Sequence, residues 1–267
     1  MGATEFLNRG VRDRKRAVLG WSLGFVAYIG IIAASFPSLE GSDELDKAVQ
    51  DYPEALKNLF GISGIELTSG PGYLDSQLFN LMLPLLAIVL AVGSGSKTVA
   101  GEEEAGRLEL LFAYPVRRRD GVLMKGIAVA VEIVVVSLVS FLAILGLGAA
   151  VDLDAGLERL AGAVLAMALL ALLHGWLAVA VGAARPGRSL AIAVPAGFAA
   201  FGYLVNGLYS QAGWLEPFRF LSGFWWIGVS PLSTGVRYDR LVVVAVVSVI
   251  VLAAAALLIE RRDLEVP

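Results

Sequence analysis

The sequence predicts an all-α integral membrane protein with six transmembrane helices and cytoplasmic termini, with an amphipathic coupling helix between spans two and three and a re-entrant outer element before span six. Three observations carry this reading. The 267 residues are 57% hydrophobic and 17% charged, whereas soluble domains are about 25% charged; the mean hydropathy is +0.75. The apolar residues fall in six runs free of Asp, Glu, Lys and Arg, each at least 19 residues long, and a helix needs about 20 to cross the hydrocarbon core. Basic residues gather on alternate sides of those runs, which sets orientation. The chain reads as one transmembrane domain, 1–267, with spans at about 17–36, 77–97, 124–150, 160–184, 189–210 and 241–260.

The arm ahead of the first span holds Arg9, Arg12, Arg14, Lys15 and Arg16. Two readings stand for it, an interfacial helix or a charge cluster that sets topology. The first run is too long for a cleavable signal peptide, and acidic sequence follows it. The loop 37–76 carries eight acidic residues against two lysines, which places it outside. Leu45, Val49, Tyr52, Leu56 and Leu59 form a helical stripe there, with Pro53 starting a new turn.

Span two contains Pro84 and span five Pro195, each able to kink its helix. At the end of span two, AVGSGSKT (91–98) looks like a phosphate-binding loop, but Ala91 and Ser96 stand where that loop needs glycine. No nucleotide site is expected in this chain. Residues 101–119 read GEEEAGRLELLFAYPVRRR and predict a helix over 101–114. Glu102, Glu103 and Glu104 suit the positive end of its dipole, and Pro115 stops it before Arg117, Arg118 and Arg119. Ala105, Leu108, Leu111 and Phe112 make one apolar stripe. A short helix tethered to spans at both ends lies flat on the membrane and can offer its charged side to a soluble partner.

Glu132 sits seven residues past Lys125, about 10 Å into span three at 1.5 Å per residue. A carboxylate at that depth is costly. It either lines a substrate path or meets an intramembrane cation, or it lies near enough to the interface to snorkel or pair with Lys125 or Arg119. His174 in span four is the sole histidine; it cannot build a metal site alone, and a hydrogen bond to a neighbouring helix is expected. The segment 216–240 resists the charge rule, with three arginines against two acids although it falls outside. Its uncharged stretch 220–236 is 17 residues long, is broken by Gly223, Gly228 and Pro231, and clusters Phe224, Trp225 and Trp226. Such a stretch suits a re-entrant or interfacial element better than a seventh span. The chain has no cysteine, hence no disulfide or thiolate metal site, and its net charge of -3 offers no basic footprint for nucleic acid.

Spans in this order, with GEEEAGRLELLFAYPVRRRDGVLMKG at 101–126, resemble the transmembrane subunit of an ABC exporter of the ABC type-2 permease family. Glu103, Gly106, Glu109, Leu110, Leu111, Pro115, the three arginines and Lys125 carry the likeness; LTSGPGYLDSQLFNLMLP before span two and the ERRDLEV ending add to it. The resemblance implies two permease subunits, identical or different, each resting on a separate ATP-binding subunit that holds ATP and Mg. The helix after span two would dock on that ATPase through Glu102, Glu103, Glu104, Gly106, Glu109, Leu110, Tyr114 and Pro115. Leu108, Leu111 and Phe112 would pack on the bundle, and Arg117 to Arg119 would sit near lipid phosphates. It further implies a multi-pass protein of the cell membrane that exports a lipophilic or amphipathic substrate and catalyses no reaction itself. Glu132, Asn80 and Asn206 are the polar candidates for the path. Glu132 and the arginines of 216–240 depart from the family pattern. The alternative is a secondary transporter or channel without an ATPase, which would want inverted repeats and ion-pathway charges. A membrane enzyme would need catalytic groups clustered at one depth.

Overall fold

The computed structural model describes residues 12, 14–39, 51–60, 62, 67–107, 117–153, 155–228 and 230–262. Hydrocarbon leaves no water for open backbone groups, so a chain this apolar closes them within helices. Six helical stretches are long and apolar enough to cross a membrane: Lys15–Ser38, Gly70–Thr98, Arg118–Ala149, Leu157–Ala184, Arg188–Leu208 and Tyr238–Arg261. No strand occurs among the described residues. The six-span, all-α class is the one observed. Lys15 and Arg261 lie at one end of the bundle, the terminal end; the opposite end is the far end.

The fourth span is the central post, packed against the second, third, fifth and sixth. Association within lipid depends on close packing more than on apolar burial, so small residues mark the tightest seams. Here the second and fourth spans touch backbone to backbone. A side chain at Gly95 would run into the Gly175 carbonyl, and one at Gly175 would meet Ala91 at 3.0 Å. About two turns further along the fourth span, Gly182 faces Ala100. Trp176 ties the fourth span to the third by donating to the Gly126 carbonyl at 2.9 Å. The first span is the most peripheral, with Leu19, Leu23 and Ile31 each more than 60% exposed on the lipid side.

The second span is longer than its charge-free core. It begins as Gly70–Leu74, capped by the Ser69 hydroxyl, widens into a π turn at Asp75–Phe79, and restarts as Met82–Thr98. The break expected at Pro84 therefore lies upstream of it. Pro84 falls in the first turn of the restarted helix, where its missing N–H costs nothing. Asp75, Gln77 and Asn80 conceal these extra turns from a hydropathy count.

Between the fifth and sixth spans come three short helices, Gly213–Leu221, Gly223–Ile227 and Pro231–Thr234, of nine, five and four residues. None is long enough to cross. The middle one reaches inward from the far end: the Ser222 hydroxyl donates to the Gly202 carbonyl at 2.6 Å, and Gly223 packs on Leu170, midway along the fourth span. Asp75 holds the third, its carboxylate accepting from the Leu232 and Ser233 amides at 3.1 and 2.7 Å. The re-entrant form follows from Gly228 and Gly235, whose φ of 83° and 90° turn the chain back after each short helix. Of the stripe expected in the loop 37–76, Glu54–Leu59 is a helix that Pro53 precedes; residues 40–50 lie outside the described residues.

Candidate functional site

At the terminal end the second span stops at Thr98, and after a bend at Val99 a new helix of five residues, Ala100–Glu104, begins. Gly106 closes it at φ 64°, with its amide donating to Glu103 O and the Arg107 amide to Glu102 O, both at 2.9 Å. This paired 5→2 and 6→1 bonding is the Schellman ending, and its left-handed residue favours glycine. The expectation of one helix over 101–114 is thus corrected. Gly106, named for the family likeness, has a local physical role as the stop. Glu109, Leu110, Tyr114 and Pro115 lie outside the described residues, as do Leu108, Leu111 and Phe112.

The three glutamates of this short helix each bind a different part of the bundle. Glu102 forms an ion pair with Lys125 of the third span, whose ammonium also donates to Thr98 O at 2.9 Å. Glu103 pairs with Arg262 just beyond the sixth span, and the Arg262 guanidinium donates to Gly182 O of the fourth at 3.1 Å. Glu104 accepts from the Arg188 amide at 2.7 Å. That amide belongs to the first residue of the fifth span, so the carboxylate satisfies an open donor at the positive end of a helix dipole. Arg118 closes the ring by donating to Arg262 O at 3.1 Å, and Arg119 lies 3.7 Å from Glu260. Glu102 and Glu103 therefore turn into the bundle. Glu103 is only 9% exposed and its partner 11%.

This arrangement is a clamp. Five residues following the second span hold the terminal ends of the third, fifth and sixth through charge, and meet the fourth where Ala100 packs on Gly182. Removing one partner of a buried pair strands the other charge, which makes the Glu103–Arg262 link the costliest of the three to open, whereas the Glu104–Arg188 link is exposed. The sequence pointed to the glutamates but not to their partners. In the sequence Lys125 is a motif residue and a possible partner of Glu132 rather than of Glu102, and nothing local marks Arg188 or Arg262 as partners of the glutamates.

Glu132 pairs with neither Lys125 nor Arg119. Its carboxylate accepts from Arg14 at 2.7 Å, and Glu132 itself is 1% exposed. Arg14 immediately precedes the first span, which packs on the third, so only the helix pairing could reveal this bond. Beside the pair an apolar groove of about 270 Å³ opens between those spans, lined by Lys15, Val18, Leu19, Ala128, Val131 and Val135. Asn80 stands at the far end and donates to the Phe60 carbonyl, which ties the segment 51–60 to the second span. Asn206 is half-buried near the far end of the fifth span. The structure does not bring Glu132 together with the two asparagines. His174 bonds Leu170 O of its own helix at 2.8 Å, not a neighbouring one, and its ring lies tilted against Phe198 at 5.6 Å.

Comparison with curated proteins finds none that matches the chain. The family model described as ABC-2 family transporter protein matches residues 9–264. With six apolar spans and an acidic clamp after the second, the chain belongs to the ABC-2 family of transporters and is a multi-pass membrane permease.

Proposed function

We propose that the chain is the membrane subunit of an ATP-driven exporter, worked by a separate ATP-binding subunit that carries ATP and Mg, with both termini in the cytoplasm. The observation that carries this reading is the clamp: three consecutive carboxylates at the terminal end bind the third, fifth and sixth spans at once. The ATPase meets the segment 105–116, including Glu109, Leu110, Tyr114 and Pro115, and its closure presses on the acidic helix. Because the clamp binds several span ends, the push becomes a rigid-body shift of the bundle rather than a local dent. Glu102, Glu103 and Glu104 then act as transmitters more than as the contact surface. Two such subunits form the pathway, and the substrate is lipophilic or amphipathic.

The test uses the full chain co-expressed with its neighbouring ATP-binding subunit, reconstituted in vesicles. Glu103→Gln should leave the complex and its ATP hydrolysis in place while substrate efflux falls by about tenfold or more. Undiminished efflux in that variant would overturn the role of the clamp. Failure of any soluble ATPase to co-purify with the unaltered chain would overturn the wider reading in favour of a secondary transporter.

A further inference from the structure

The arginines that resist the charge rule occupy one built cluster at the far end. The Arg219 guanidinium lies 3.7 Å over the Tyr209 ring and 5.4 Å from Trp225. Arg240 lies 4.2 Å over Trp225 and donates to its carbonyl at 3.0 Å. Trp225 thus contacts two guanidinium groups and is braced edge-on by Trp226. Arg237, nearby in the chain, is spoken for by Asp239, which accepts two bonds from it at 3.2 and 3.1 Å. Among the described residues no carboxylate forms an ion pair with Arg219 or Arg240. The Arg219 Nε is buried with no hydrogen-bond partner. Aromatic faces orient these cations but do not neutralise them.

The rim beside them is apolar. On the short helix Gly213–Leu221, Trp214 is 72% exposed and Phe220 61%, next to Phe218 and Leu221. Exposed aromatics on a short amphipathic helix belong at the boundary between acyl chains and headgroups. Guanidinium groups at that depth meet phosphates, which their planar forks bind by two parallel bonds.

We propose that Arg219 and Arg240, both held against Trp225, form a binding site for an anionic phosphate group at the membrane surface of the far end. This goes beyond the proposed transport function and needs no ATPase. Two sources share the chemistry, an anionic phospholipid of that leaflet and a free or substrate-borne phosphate.

The experiment uses the full chain in nanodiscs of phosphatidylcholine with increasing phosphatidylglycerol, and separately in neutral detergent with inorganic phosphate. Native mass spectrometry reads retained lipid, and tryptophan fluorescence reads the summed environment of the five tryptophans, Trp225 among them. Selective retention of phosphatidylglycerol is expected, falling about tenfold for each arginine removed. R219Q/R240Q should lose it, while R219K/R240K, which keeps the charges but not the two-bond forks, should retain a weaker preference and so separates anion binding from a folding defect. A response to phosphatidylglycerol alone assigns the site to lipid, and a response to inorganic phosphate assigns it to a soluble anion. No preference for either anion in the unaltered chain would overturn the proposal. So would equal anion binding by R219Q/R240Q.

Discussion

The Glu103–Arg262 pair offers the sharpest test of the clamp. Its two side chains are 9% and 11% exposed, so either substitution alone, Glu103→Gln or Arg262→Gln, leaves a charge in a poorly hydrated place. Stranding a buried charge costs about 3–5 kcal/mol. Arg262 keeps its bond to Gly182 O when Glu103 is neutral, which argues for the lower end, about 3 kcal/mol or roughly a hundredfold in the local opening equilibrium. In E103Q/R262Q neither charge remains, so part of the loss returns; the interaction term of the cycle should be about 1–3 kcal/mol. An exposed pair would give at most about 1 kcal/mol. The assay is reversible unfolding in mixed micelles, followed by tryptophan fluorescence, with hydrogen exchange over 99–107 and 182–188 to locate the opening. Single substitutions that each cost under about 1 kcal/mol, or costs that simply add, would refute the claim that this pair is a buried link.

Other outcomes follow from the same geometry. Gly95→Val should cost about 3 kcal/mol or more, because its side chain would enter the Gly175 carbonyl; a normal melting temperature would show that the seam can open. Asp75→Asn loses a charged acceptor shared by two amides, so stability should fall by about 1.5–3 kcal/mol, with faster hydrogen exchange confined to 230–234. Gly106→Ala places a side chain at φ 64° and should cost about 1–2 kcal/mol, read as a lowered melting temperature with spans two and four still protected. Glu132→Gln should release Arg14, so that amide hydrogen exchange at Val18, whose N–H bonds Arg14 O, runs faster than in the chain with intact Glu132.

Much of the architecture was legible in composition and spacing, and the reason is the solvent. Hydrocarbon penalises every charge and every open backbone group, so charge-free runs of at least 19 residues declare helices without reference to any neighbour. The broken run before the sixth span was equally local, since Gly223, Gly228 and Pro231 interrupt it wherever it sits. The glutamates of 102–104 stood out for the same reason, as charge wedged between apolar spans.

Their meaning was not local. Whether Glu103 faces a partner protein or Arg262 depends on bringing residues 159 positions apart to one end of the bundle, and no pattern within a span encodes that. Gly106 shows the same division: its identity was visible, but its left-handed φ ends a helix that the apolar stripe alone would continue to Tyr114. Glu132 found Arg14 because the first helix packs on the third, and Arg219 and Arg240 both reach Trp225 because the short helices fold back. The sequence by itself determined which segments enter the membrane. Tertiary structure alone decided which charges meet, because ion pairs act across space between helices, whereas transfer into lipid acts on each segment separately.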